Sequence, residues 1–193
     1  FLPTILDAIG HPHPSHERLH GRSFAPILRG ESQPDRDVVV LQYNENSGRN
    51  RQPMRAIHTR EFLYLYNPWS DGRRKFATAT TGTMTYRRLV ERAGDEPDIA
   101  ARLELFDHRV LEELYDVSVD PDCRVNLIDD PQHRSTAADL RQQLAQELAA
   151  VEDPIAPLLA GVENARLREA YMRAEDARTD KAKAARRKPR RNR

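Results

Sequence analysis

The sequence predicts an α+β fold, a small antiparallel sheet packed by a long C-terminal helix. Three observations point there. Strand-like runs recur at 38–43, which is β-branched, at 54–58, where Met54 and Ala56 alternate with Arg55 and Ile57, at 62–66, which is aromatic and aliphatic, and at 112–117, each followed by turn-forming or polar residues. The second and third are joined only by Thr59-Arg60-Glu61, a connection short enough to make them an antiparallel hairpin. Leu140, Leu144, Leu148 and Val151 fall at i, i+4, i+8 and i+11 of segment 136–151, a single apolar stripe that needs a sheet face to cover it.

Taken in order, residues 2–9 read as a short helix, with Pro3 suited to the first turn and Gly10 stopping it. His11-Pro12-His13-Pro14-Ser15 cannot continue a helix. Ser23 can cap a second short helix over 24–29, closed by Gly30. Val38-Val39-Val40-Leu41 is a continuous apolar run and reads as a buried strand. A polar connection, 44–52, leads to the hairpin. Asn67-Pro68-Trp69-Ser70-Asp71-Gly72 is turn-rich. Short helices over 86–92 and 99–106 are split by Gly94 and Pro97, and the fourth strand is broken by Asp120-Pro121-Asp122. Pro154 and Pro157 end the long helix. Segment 164–178 is helical in pattern, and the Lys/Arg/Ala tail beyond it is too charged to bury anything.

Composition narrows the function classes. Of 193 residues, 38% are hydrophobic and 32% charged, which implies a small core in a solvated shell. The formal charge of +1 hides an asymmetry: residues 174–193 hold nine Lys or Arg against three Asp or Glu, while residues 1–173 hold 22 against 27. The body is acidic, so overall charge gives no case for nucleic acid. The single cysteine, Cys123, excludes an internal disulfide framework and a cysteine-rich zinc site. No apolar run approaches the roughly 20 residues that span a bilayer. Phe1-Leu2-Pro3-Thr4 has neither the basic start of a signal peptide nor an initiator Met, so the chain is expected to be a fragment or the product of a mis-called start.

Four segments in order carry a resemblance. They are Phe1-Leu2-Pro3-Thr4-Ile5-Leu6-Asp7; the stretch from Gly21-Arg22-Ser23 to Gly30; Pro53-Met54-Arg55-Ala56-Ile57 with Phe62-Leu63-Tyr64; and Glu113-Leu114-Tyr115-Asp116 followed by Asp120-Pro121 and Asn126-Leu127. Together they resemble the C-terminal portion of the sulfatase family, and 53–67 leans towards its heparan N-sulfatase (N-sulfoglucosamine sulfohydrolase) branch. The resemblance implies that residues 1–35 end a truncated alkaline-phosphatase-like α/β catalytic domain, 36–153 form the sulfatase C-terminal subdomain, and 154–193 are a helix and then a disordered basic tail. It implies hydrolysis of a sulfate ester or sulfamate, with a sulfated glycan as partner and the missing N-terminal domain as the other. Formylglycine and Ca²⁺ are expected in that missing domain and not in this chain. Cys123 is followed by Arg124-Val125-Asn126-Leu127, where the family's Cys/Ser-x-Pro-Ser/Ala-Arg motif requires Pro at 125 and Arg at 127. No catalytic residue is therefore carried over, and the fragment alone is expected to be inactive. Family members are commonly exported or lysosomal.

Candidate substrate contacts sit in the loops. In the heparan N-sulfatase branch the loop holding Asn44 and Glu45 reaches back to the pocket, where a carboxylate accepts from sugar hydroxyls or pairs with a sugar amine. Arg55 either faces the cleft or pairs with an acid from the long helix. Trp69 is either a sugar-stacking platform or core. His11, His13, His16 and His20 read as a solvated loop, since His-Pro-His-Pro lacks the geometry of a zinc site. Tyr115 is expected in the core with its hydroxyl partnered. Leu144 is expected to be the anchor of the long helix, and Arg141, on its polar face, to contribute little. The competing function class is a non-enzymatic module binding nucleic acid or polyanions through Arg186-Arg187-Lys188-Pro189-Arg190-Arg191, which the absence of interleaved aromatics disfavours.

Overall fold

A computed structural model describes residues 1–12, 21–34, 36–45 and 51–187, with residues 186 and 187 described by backbone alone. They form two compact units, Phe1–Val38 and Val39–Arg193.

The first unit holds α1 (Leu2–Ala8) and α2 (Ala25–Leu28). Gly10 follows α1 at φ 64° and Gly30 follows α2 at φ 81°, conformations open to glycine without strain. Phe24 N donates to Thr4 Oγ1 at 3.1 Å, and the Phe1 and Phe24 rings meet edge to face at 5.7 Å. This small unit buries little: Leu2, Ile5, Ile9, Ile27 and Leu28 are all exposed.

The second unit is built on four antiparallel strands, β1 (Val39–Tyr43), β2 (Met54–His58), β3 (Phe62–Tyr66) and β4 (Glu112–Asp116), in the order β1-β2-β3-β4. The hairpin turn is closed by Thr59, whose N–H donates to Phe62 O at 2.8 Å and whose Oγ1 accepts from Phe62 N at 2.9 Å. Register sets Ile57 opposite Tyr64, and Tyr64 opposite Leu114. With Tyr66 they line the face covered by α5 (Arg134–Ala150) and α6 (Ala156–Ala160). Ala137, Leu140, Leu144 and Leu148 of α5 meet that face, and Ile155, Leu158 and Leu159 complete the core. Val151 is exposed, because the chain leaves the helix there and Glu152 turns to φ 54°. The opposite face carries Ala56, Leu65 and Tyr115. Here lies a buried carboxylate: Glu113 accepts from Asn67 Nδ2 (2.6 Å), Arg109 Nε (2.8 Å) and Nη2 (2.6 Å), and the Tyr115 hydroxyl (2.6 Å). With both oxygens satisfied it is tolerable out of water. Between β3 and β4, α3 (Met84–Arg92) begins where Thr83 Oγ1 accepts from Tyr86 N, and α4 (Pro97–Asp107) follows.

Two expectations change. The run read as a buried strand is the exposed sheet edge: Val39, Val40 and Leu41 are 49, 39 and 47% exposed. An apolar run signals burial on both faces, but β1 pairs only with β2 and is left uncovered. The last helix, α7, runs Ala165–Arg187, past the predicted end at 178. Ala, Lys and Arg sustain a helix on propensity alone, and Met172, Glu175 and Thr179 give α7 a narrow buried stripe.

Candidate functional site

The β1–β2 connection carries Asn44 and Glu45, and its two ends are held by different means. At the sheet, Gln52 N donates to Asn44 O at 2.8 Å, closing the loop. The buried Gln52 side chain then bridges backbone: Nε2 donates to Lys75 O and Oε1 accepts from Ala77 N, both at 2.8 Å. Residues 46–50 lie outside the described set.

Arg55 lies on the helix-covered face, two residues from Ile57, and is 3% exposed. Its Nε donates to Asp153 Oδ2 at 2.8 Å, and its Nη1 to Asn44 Oδ1, Tyr43 O and Met54 O at 3.1, 3.2 and 2.8 Å. A guanidinium so enclosed braces the loop, its Nε and Nη1 donors spent on protein acceptors. Its acid comes three residues after α5 ends.

Trp69 is also inside, 2% exposed and stacked on Phe76 at 5.5 Å and 17°. Phe76 in turn meets Tyr43 edge to face at 5.6 Å. Trp69 is thus packed behind the loop, with Phe76 on one ring face and almost no surface open to solvent.

Asn44 is half-buried, its carbonyl oxygen taken by Arg55. Glu45 is 46% exposed on its side chain, with Arg51 Nε at 3.8 Å. Arg51 lies closer to Glu175 of α7, at 2.5 Å but off the hydrogen-bond axis. Glu175 is 1% exposed and also contacts Arg178, one turn along the same helix. Tyr171 sits among these charges, and burial, reinforced by the Glu175 carboxylate, pushes its phenol up. Arg51, Arg55 and Arg178 thus face Glu45, Asp153 and Glu175. This neutral cluster can bind and orient polar groups, and Glu45 is the most open acceptor in it.

Sequence reasoning pointed to Asn44, Glu45 and Arg55 but missed Arg51, Asp153 and Glu175. An Arg in a polar loop and a Glu in a charged helix look solvated, and only the packing of α7 brings them together.

Among the described residues, no three His, Cys, Asp or Glu side chains gather as a metal site. His13, His16 and His20 lie outside the described residues, and His11 Nδ1 stands 3.0 Å from Pro12 O. Burial, reinforced by Asp120, pushes the Cys123 thiol up and away from a reactive thiolate. No helix among the described residues is long and apolar enough to cross a membrane.

No protein-family model matches the sequence, and no curated protein matches it. Solved structures do. A Bacteroides thetaiotaomicron protein described as a sulfatase matches at 25% identity and a TM-score of 0.51, over 79% of this chain and 24% of its own. A 2-O GAG sulfatase matches at 25% identity and a TM-score of 0.50, over the same shares. A protein solved with its substrate D-glucosamine-2-N,6-O-disulfate matches at 19% identity and a TM-score of 0.50, over 80% of this chain and 24% of its own. The chain therefore spans about a quarter of the length of these proteins, and its small four-stranded sheet with helices is a fold they contain.

Proposed function

We propose that the chain is the C-terminal portion of a sulfatase-like hydrolase acting on a sulfate ester or sulfamate of a glycan. It completes the fold of a catalytic α/β domain and supplies one wall of the substrate cleft. The observation that carries this reading is the shared fold at 25% identity with sulfatases of which the match covers 24%. A physical counterpart supports it. Among the described residues, seven of the 17 exposed large hydrophobic residues fall in the first unit, Phe1–Val38. Apolar surface so concentrated in a small unit marks an interface, and a large α/β domain is the partner that would cover it.

In this reading the chemistry belongs to the partner domain, where formylglycine and Ca²⁺ are expected. The part played here is binding: Glu45 accepts hydrogen bonds from sugar hydroxyls or an amine, Asn44 adds its amide, and Arg55 holds Asn44 in place. A sulfamate substrate, as in the heparan N-sulfatase branch, is the finer form of the proposal and rests on the 53–67 segment. Two measurements on the purified chain test it. Titration with D-glucosamine-2-N,6-O-disulfate should shift the amide resonances of Asn44 and Glu45 before those of β3, and no sulfate should be released with or without calcium. Shifts spread evenly over the chain would remove the wall, and calcium-dependent turnover would remove the division of labour.

A further inference from the structure

Helix α7 holds the loop by charge as well as by packing. Of its three buried side chains among the described residues, Met172 is apolar and Thr179 bonds its hydroxyl to Glu175 O, but Glu175 is a carboxylate. A carboxylate out of water is costly unless it meets cations. One of them, Arg178, comes from α7 itself and is 66% exposed. The other, Arg51, comes from the β1–β2 connection, at the residue before Gln52. A second tie, Arg74 Nη2 to Asp176 Oδ2 at 3.4 Å, fastens the same stretch of α7 to the neighbouring loop.

Arg51 stands between two acids. Glu175 is 2.5 Å away and buried, and Glu45 is 3.8 Å away and 46% exposed. Held by Glu175, the guanidinium leaves Glu45 with acceptor capacity to spare. Released, it would swing to Glu45 and neutralise the carboxylate that the loop offers to solvent. The rest of the loop root is fixed without α7, by Gln52 on Asn44 O, Lys75 O and Ala77 N and by Arg55 on Asn44 Oδ1. Arg51 is thus the point through which α7 sets the state of the connection.

We propose that Glu175 and Arg51 form a clamp by which α7 fixes the Arg51 end of the β1–β2 connection and leaves Glu45 only a long contact to Arg51, open to ligand, which makes both of them positioning residues. The clamp stands on the contacts alone; its service to a sugar rests on the substrate-wall reading above. Hydrogen exchange on the full chain tests it. Glu175→Gln and Arg51→Gln should each speed exchange in the peptide covering 44–52 by about tenfold, with β3 and β4 unchanged, because the opening is local. The double variant should exchange no faster than the faster single, the non-additivity of two halves of one contact. Unchanged exchange in the singles, or effects that multiply in the double, would overturn the clamp. If Glu175→Gln strips protection from all of α7, Arg51→Gln decides, since it leaves Glu175 paired with Arg178. The sugar arm uses D-glucosamine-2-N,6-O-disulfate: Glu175→Gln should weaken the shifts at Glu45 several-fold, and adding Arg51→Gln should restore them, which a purely structural Glu175 would not do. Clamp-like exchange with no response to the sugar in the unaltered chain overturns the substrate wall and leaves the clamp standing.

Discussion

Leu144 and Arg141 lie three residues apart on α5 and show what the sequence could and could not disclose. Leu144 is completely buried against the sheet, as its mid-stripe position implied. Leu144→Ala should cost about 3 kcal/mol, since a truncated core leucine loses transfer energy and leaves a cavity. Arg141 looked like a surface residue with little to lose. In the fold its Nε donates to Glu112 Oε1 at 2.6 Å, the same oxygen that accepts from the Tyr64 hydroxyl at 2.6 Å. Arg141→Ala should therefore cost about 1–3 kcal/mol, because it leaves a mostly buried carboxylate short of a partner. Gln142→Ala, on the exposed side, should change stability by less than about 0.5 kcal/mol. Thermal or urea unfolding of the three variants checks the order, and an Arg141→Ala variant as stable as Gln142→Ala would show that the bridge from α5 to β4 contributes nothing. The periodicity that marked Leu144 says nothing of an ion pair between residues 29 positions apart. For the same reason Glu113 gave no sign of its partners Asn67 and Arg109, while Tyr115 did find the hydroxyl partner expected of a buried tyrosine.

Among the elements, the hairpin of β2 and β3, the strand β4 and the helix α5 were legible because period and turn chemistry agree in each. β1 was legible as a strand but not as an edge. Its composition reports a preference for burial, and what satisfies that preference lies outside the sheet. Val39 and Leu41 project from the same face, and β1 presents a free edge as well, so the isolated chain should self-associate. Leu41→Lys should suppress that association in light scattering while leaving the melting temperature unchanged. Undiminished association would locate the sticky surface elsewhere. α1 and α2 should be the least protected helices, since their apolar sides are open and they share few hydrogen bonds with other segments. Exchange should be fast over 2–29 and slow over 62–66, and equal protection would contradict the assignment of the first unit to another domain. The site was half legible by the same logic: Asn44 and Glu45 could be singled out because they follow a strand, whereas the helix that braces them sits more than 100 residues away.

At the scale of the whole molecule, the sheet concentrates its tyrosines in the core, and this sets a limit at high pH. Tyr64, Tyr66 and Tyr115 all have phenols pushed up, burial being the first cause, and Tyr66 reaches about 12. In the unfolded chain these groups ionise near the ordinary tyrosine value of 10.0. Above that pH the unfolded chain binds fewer protons than the folded one, so stability is intact below about pH 10 and falls as pH rises towards the folded values. Melting temperature should stay level from pH 8 to about 10 and then drop, and Tyr66→Phe should drop less steeply. Parallel curves would mean that Tyr66 is not titrating from a buried site. The α+β class was legible from strand, turn and helix signals, and the likeness to sulfatases from four sequence motifs that follow one another in order. What covers the apolar surface of the first unit was not legible, since a surface specifies the chemistry of its partner and not its identity. The most direct measurement is the sequence of the reading frame immediately upstream of Phe1. If this chain completes a sulfatase, that frame is open and encodes Cys/Ser-x-Pro-Ser/Ala-Arg with acidic metal ligands ahead of Phe1; an open frame encoding an unrelated domain, or a stop codon close before Phe1, would contradict it.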